Sequence, residues 1–421
     1  MVNTEIACHH GSDQHEFISN IMLTLIKMKR SNSMNITVIF TGGTIGSSVQ
    51  QNFVSTDSQM PYRLLAMYEA AQKKKGAAIP NFQTEAPYTT LSEYMDGSHL
   101  NQLIACIQKI LARSCADAID GIIITHGTDT LPYTAAALGM CFAYARIPII
   151  LVSSNYILDD PRANGLTNFT AAVAYIRNYN LTERKRMTSN DIQGTSFQPV
   201  FDDFQGTSFQ PVFDDIQGTS FQPVFDDIQG TSFQPVFDDV QRTMHHTILN
   251  QNPDTMFPPL PTSVGIAYCN TGSTPKIYNA LGIYNHYPFD DSLYERPYDA
   301  YAEAIAPVLQ ECSVTSHFDT ICPVCFFQSM PGMQYYLPDD TRVVLIHAYH
   351  SGTINTKNPS LLALTEQAAQ KKIPVYLTGI SACSTDYDSK AVYESLGIIP
   401  LPEYSPLVAY MYLWYKYSQR D

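Results

Sequence analysis

The stretch NITVIFTGGTIGSSV, residues 35–49, decides the fold. An apolar, partly β-branched run, Ile36–Phe40, leads directly into two glycines bracketed by threonines. A strand apolar at successive positions is buried on both faces, which is the habit of parallel sheets. The glycines predict a tight turn or a close backbone approach at its end. The same grammar recurs in DGIIITHGTDTLPYTAAAL, residues 120–138, where the strand Gly121–Thr125 precedes His126, Gly127, Thr128, Asp129 and Thr130. A third apolar run occupies Ile147–Val152. Between the first two lies GSHLNQLIACIQKIL, where Leu100, Leu103, Ile104, Ile107 and Leu111 share one helical face and Ser98 is the expected N-cap. Strands alternating with helices predict an α/β protein with a larger amino-terminal parallel-sheet domain.

The second half repeats the pattern. SVGIAY, RVVLIH and IPVYLTG read as strands, and SLLALTEQAAQ as a helix after a serine cap. SPLVAYMYLWYKYSQ is a closing helix capped by Ser405, with Pro406 at its first position. NQNPDTMFPPLPTS is proline-rich and reads as a linker. The organisation expected is an extension over 1–33, an amino-terminal domain over 34–240, a linker over 241–262 and a carboxy-terminal α/β domain over 263–421. Within the first domain, residues 192–239 hold four near-identical copies of IQGTSFQPVFDD, marked by Gly194, Gly206, Gly218 and Gly230. Gly and Pro in every unit exclude one long helix. Duplication of a surface hairpin accounts for the block better than a solenoid, whose units must share a core.

Charge is acidic, with 25 Lys+Arg against 39 Asp+Glu and a net −14. A nucleic-acid-binding surface would show instead as a basic patch. No apolar run reaches the ~18 residues of a membrane helix, and the amino end lacks the order of a secretory signal. The nine cysteines then fit a reducing cytoplasm. Cys312, His317, Cys322 and Cys325 lie close in sequence, but their spacing is no familiar zinc half-site, and ordinary thiols are expected there.

TGGTIGSSV is not a P-loop, because no lysine follows at the required distance, and it lacks the G-x-G-x-x-G order of a dinucleotide site. Two strand ends rich in Thr and Gly offer something else. A threonine hydroxyl serves as nucleophile when a neighbour accepts its proton, and glycine-exposed amides stabilise an oxyanion. His126, between Thr125 and Gly127, is expected to be structural; His350, in YHSGT, is expected to be packed or at an interface.

At these residues the chain resembles the bacterial L-asparaginases and the related subunit of archaeal glutamyl-tRNA amidotransferase. TGGTIG and ITHGTDTLPYTAAAL carry the resemblance together, in this order and on successive strands. VVLIHAYHSGT, NPSLLALTEQAAQKKIPVYLTG and YDSKAVYESLGIIPLPEYSPLVAYMYLW look like that family's smaller, flavodoxin-like carboxy-terminal domain. The resemblance implies Thr44 as primary nucleophile, with Thr128 and Asp129 placing water and holding the substrate's amino group. PYTTLSEYM looks like the loop that contacts the substrate carboxylate, which falls on Ser92 and Glu93. It further implies a cytoplasmic homodimer or homotetramer acting on a small amino-acid amide, with no metal, no organic cofactor, no nucleic acid and no membrane.

Two positions depart from the family pattern. Its mobile-loop Tyr is matched here by Phe53, which has no hydroxyl. Its Lys beside the Thr–Asp pair should follow the helix NFTAAVAYIRN. Aligning the first repeat there gives Gln198 or Pro199, with Lys185 as the nearest alternative. Losing such a partner impairs proton transfer, so a catalytically impaired, amino-acid-binding relative is the alternative expectation. An amidase subunit acting on charged tRNA would be expected to carry a further domain ahead of TGGT.

Overall fold

The computed structural model describes residues 34–50, 53–56, 60–117, 119–190, 257–285, 291–312, 317–382 and 387–418. The extension over 1–33, the repeats at 192–239 and most of the linker lie outside the described residues. So do Gln198, Pro199 and the side chains of Phe53 and Lys185.

In chain order, β1 (Asn35–Phe40) is followed by a hairpin of β2 (Ser47–Gln50) and β3 (Phe53–Thr56), then helix α1 (Met60–Lys74). Next come β4 (Asn81–Glu85), α2 (Gly97–Asp117), β5 (Gly121–Thr125), α3 (Leu131–Cys141), β6 (Ile149–Val152) and α4 (Gly165–Asn190). The chain resumes with β7 (Val264–Tyr268), β8 (Lys276–Asn279), β9 (Ile283–Asn285), β10 (Tyr294–Glu295) and α5 (Ala302–Glu311). The last portion holds β11 (Val324–Gln328), β12 (Val343–His347), α6 (Pro359–Lys371), β13 (Val375–Ile380), α7 (Ala391–Ser395), β14 (Ile398–Pro402) and α8 (Pro406–Ser418).

Six strands form the larger sheet in the order β4-β1-β5-β6-β7-β8. All are parallel except β8, which pairs antiparallel with β7. The chain leaves β1 to build β4 on one side and β5 on the other, so strand order reverses between β1 and β5. In open α/β sheets the crevice beyond the carboxyl ends at such a reversal is where ligands bind.

The expected boundary at 262/263 falls inside this sheet. Ile149 pairs with Val264 and Val152 with Ala267, so SVGIAY extends the first sheet rather than starting the second domain. Val264, Ile266 and Tyr268 are fully buried in the core that packs on the larger sheet.

Both faces of the larger sheet are covered, as its continuous apolar strands require. Ile122, Ile124 and Ile39 pack with Leu103, Ile107 and Leu131 on the side of α2 and α3. Ile36, Val38 and Ile123 pack with Leu64, Tyr68 and Phe169 on the side of α1 and α4. Each fully buried Ile or Leu stabilises by roughly 1.5–3 kcal/mol, so these side chains hold the strands in place.

The smaller sheet runs β11-β12-β13-β14, all parallel and in sequence. The strand reversal of a flavodoxin-like order is therefore found in the amino-terminal sheet. One face of β12, Val344 and Ile346, packs on Leu361 and Leu364 of α6. The other, Val343 and Leu345, joins Met411 and Leu413 of α8 and Leu131 of α3 in one core. Both sheets thus fall in one compact unit.

Three caps differ from or match expectation. Asp96 caps α2 in place of Ser98: its Oδ1 accepts the His99 amide at 3.1 Å and the Ser98 hydroxyl at 2.6 Å. Asn358 caps α6, accepting from the Ser360 and Leu361 amides. Ser405 caps α8 as expected, accepting from the Val408 amide at 3.2 Å.

Candidate active site

At the carboxyl end of β1, the Thr41 hydroxyl donates to the Thr125 carbonyl at 2.7 Å, tying the ends of β1 and β5 together. The Thr90 amide donates to the Thr41 carbonyl at 3.0 Å, and the Gly43 amide donates to the Thr90 carbonyl at 2.9 Å. Three segments are stitched here: the TGGT turn, the loop after β4 and the HGTDT loop.

Gly42 and Gly43 allow this closeness. Gly42 has φ +98 and Gly43 φ +71, both in the region that disfavours side chains. A Cβ on Gly42 would stand 2.3 Å from the Thr90 carbonyl oxygen, and one on Gly43 2.3 Å from the Gly127 amide and Cα. Backbone therefore lies on backbone where the two motifs meet. The residues that follow the paired glycines and Gly127, Thr44 and Thr128, are both half-buried. Thr44 heads a short 3-10 turn, Thr44–Gly46, held by Ser47, whose hydroxyl donates to the Gly43 carbonyl at 2.7 Å. Amides at the head of such a turn have no partner within it.

The loop after β4 supplies the third side. Ser92 is buried, and its hydroxyl donates to Asp129 Oδ2 at 2.9 Å. The Thr130 hydroxyl donates back to the Ser92 carbonyl at 3.0 Å. Thr130 precedes α3 without capping it through its side chain. The structure thus brings Thr44, Thr128, Asp129 and Ser92 to one strand-end crevice, whereas Glu93 points into solvent as an exposed residue. Nothing local in the sequence marks Thr41, Thr90 or Thr130 as joining residues, because only the fold reveals which segments meet.

Among the described residues no Lys or Arg is ion-paired with Asp129. The β7–β8 hairpin carries Lys276 opposite Tyr268, at the same edge of the sheet as the crevice. It is exposed, and β8 lies three strands from β5 in the sheet order, roughly 14 Å at the usual strand spacing.

His126 is fully buried, as expected of a structural residue. Its Nδ1 donates to the Gly127 carbonyl at 2.8 Å, which fixes the tautomer and pins the turn that contacts Gly43. Burial pushes the imidazole from the ordinary 6.5 down to about 4. Between these values the unfolded chain binds a proton that the folded chain refuses, so stability falls on acidification and recovers as pH rises. Chemical denaturation at pH 7.5 and pH 4.5 should show a loss larger by ~2 kcal/mol in the native protein than in His126→Asn. Equal losses would remove His126 as the cause. His350, by contrast, is exposed rather than packed.

The cysteine segment forms no metal cluster: among the described residues, no three His, Cys, Asp or Glu are grouped to hold an ion. Burial pushes the Cys312 and Cys322 thiols up, and Cys322 also contacts the Tyr410 hydroxyl.

The family model for the asparaginase N-terminal domain matches residues 35–187. A subunit of the glutamyl-tRNA(Gln) amidotransferase of Archaeoglobus fulgidus is 30% identical over 145 residues, 34% of this chain and 32% of the relative. L-asparaginase 1 of Escherichia coli K12 is 32% identical over 158 residues, 35% of this chain and 42% of the relative. These matches span about a third to two fifths of the relatives' length. The fold resembles that of L-asparaginase I from Vibrio cholerae over 92% of this chain and 94% of that one, with a TM-score of 0.54 at 16% identity. Residues 35–187, the stretch that carries TGGT and HGTDT, are thus similar to the asparaginase N-terminal domain.

Proposed function

We propose that the chain hydrolyses the side-chain amide of L-asparagine to L-aspartate and ammonia, with Thr44 as nucleophile. The contact of Gly43 with Gly127 carries this reading, because it sets two threonines and a carboxylate around one strand-end crevice. The Thr44 hydroxyl attacks the amide carbon, forming a C–O bond as the C–N bond breaks and ammonia departs with the hydroxyl proton. Water then attacks the acyl carbon, releasing aspartate and restoring Thr44. Amides at the head of the Thr44–Gly46 turn face the developing oxyanion. Thr128 orients the water, and Asp129, steadied by Ser92, receives the substrate ammonium. The loop that carries Ser92 faces the substrate carboxylate, with the Glu93 side chain left in solvent. A cytoplasmic homodimer or homotetramer completes the reading; among the described residues no helix is long and apolar enough to cross a membrane.

Purified protein given L-asparagine should release ammonia, with L-glutamine in parallel setting the preference. Ser92→Ala removes the hydroxyl that Asp129 accepts from and should lower kcat/KM by ~10-fold or more; an unchanged value would detach Ser92 from the site.

One observation favours a second reading. Asp129 has a serine rather than a described cation beside it, which suits an amino-acid-binding protein of impaired turnover. Calorimetric binding of aspartate or asparagine without ammonia release would establish that alternative, and turnover at an ordinary enzyme rate would eliminate it.

A further inference from the structure

A second concave feature adjoins the strand-end site through Thr130, which lines it, where the first turn of α3 and the start of α2 face α8 and β11. It is a cavity of about 540 Å³, within the range of small-molecule sites. Tyr133, Phe326, Tyr410 and Trp414 line it. Their rings form an edge-to-face chain centred on Tyr410: Tyr133 at 6.0 Å, Phe326 at 6.1 Å and Trp414 at 6.1 Å. Tyr133 and Phe326 are 36% and 41% exposed, so the aromatic wall reaches solvent at one end.

The rest of the lining is apolar or neutral except for Asp96, its sole charged residue. Desolvation opposes ionisation of Asp96, yet hydrogen bonds from Ser98 and His99 hold its carboxyl below the usual range. Those bonds all fall on Oδ1. Oδ2 is left to take a further donor. A carboxylate at the edge of an aromatic cavity selects by sign. Aromatic faces attract cations, and a neutral apolar occupant would desolvate the carboxylate without compensation. Anions are disfavoured by Asp96 and by the net −14.

We propose that this cavity binds an organic ammonium ion with an aromatic body, the ring seated against Tyr410 and Trp414 and the nitrogen donating to Asp96. Thr44, Thr128, Asp129 and Ser92 are not in its lining, and the proposal does not depend on the chain being a hydrolase.

Trp414 is the sole tryptophan of the chain, so its emission reports occupancy directly. Titration of the full-length protein with phenylbutylammonium should give a saturable change in that emission. Phenylbutanol, the neutral counterpart of the same shape, should bind ~10-fold more weakly, as expected for loss of a charge-assisted hydrogen bond. In Asp96→Asn the ammonium ion should fall to the level of the alcohol. No saturable change, or equal binding of ammonium ion and alcohol to the native protein, would overturn the proposal. Because Asp96 also caps α2, the comparison of the two probes on the native protein decides the question if the variant does not fold.

Discussion

Thr44→Ala is expected to lower the rate of amide hydrolysis by ~10³-fold or more, since the nucleophile's loss removes the covalent route altogether. The fold should survive. Thr44 is half-buried, and the turn it heads is secured by Ser47 and Gly43 rather than by its own side chain. Thr44→Ser should retain measurable turnover, because the hydroxyl stays on the same backbone. Circular dichroism and ammonia release, measured on the same preparations, separate the two effects. A loss of activity that follows the loss of fold would assign Thr44 a structural role instead.

Gly43→Ala is expected to do the reverse, damaging structure and activity together. Gly43 sits at φ +71 and ψ −174, a conformation that is nearly exclusive to glycine. Its added methyl would stand 2.3 Å from the backbone of Gly127, which has no side chain to swing aside. Backbone strain of ~1–3 kcal/mol and steric displacement of similar size add to roughly 2–6 kcal/mol. That is a large share of a typical domain's stability. Thermal unfolding should show a sharply lowered midpoint, and any folded fraction should be inactive because TGGT and HGTDT no longer touch. A midpoint within a degree or two of the native one would mean that the two loops are not clamped at this point.

The strands of this fold were readable because their burial is written in composition. GIIIT is buried at every position, and a run of that kind suits only the interior of a covered sheet. The β4 strand, NFQTE, was not readable: it sits on an edge with much of its surface exposed, and its polar residues resemble a loop. The domain boundary was misplaced for a related reason. A proline-rich stretch such as NPDTMFPPLP signals an irregular segment, but nothing local tells which sheet the next strand will join. Only the pairing of β6 with β7 settles that.

The site was legible to a similar degree. Thr44, Thr128 and Asp129 stand in motifs at strand ends, where α/β sheets gather function. The link from Ser92 to Asp129 spans 37 positions and is tertiary, as is the Thr41 to Thr125 bond across 84. No periodicity encodes such contacts. The cap of α2 failed in the same manner: Ser98 and Asp96 are both good cap residues, and the choice between them rests on where α2 begins.

The central claim is that Thr44 carries the acyl group during turnover. Acid quenching of the protein in the presence of saturating L-asparagine, followed by peptide mass mapping, tests it directly. The account predicts an aspartyl ester on the peptide containing TGGTIG, localised to Thr44 and absent from Thr44→Ala. An ester on Thr128, or sustained ammonia release with no ester on any residue, would contradict it.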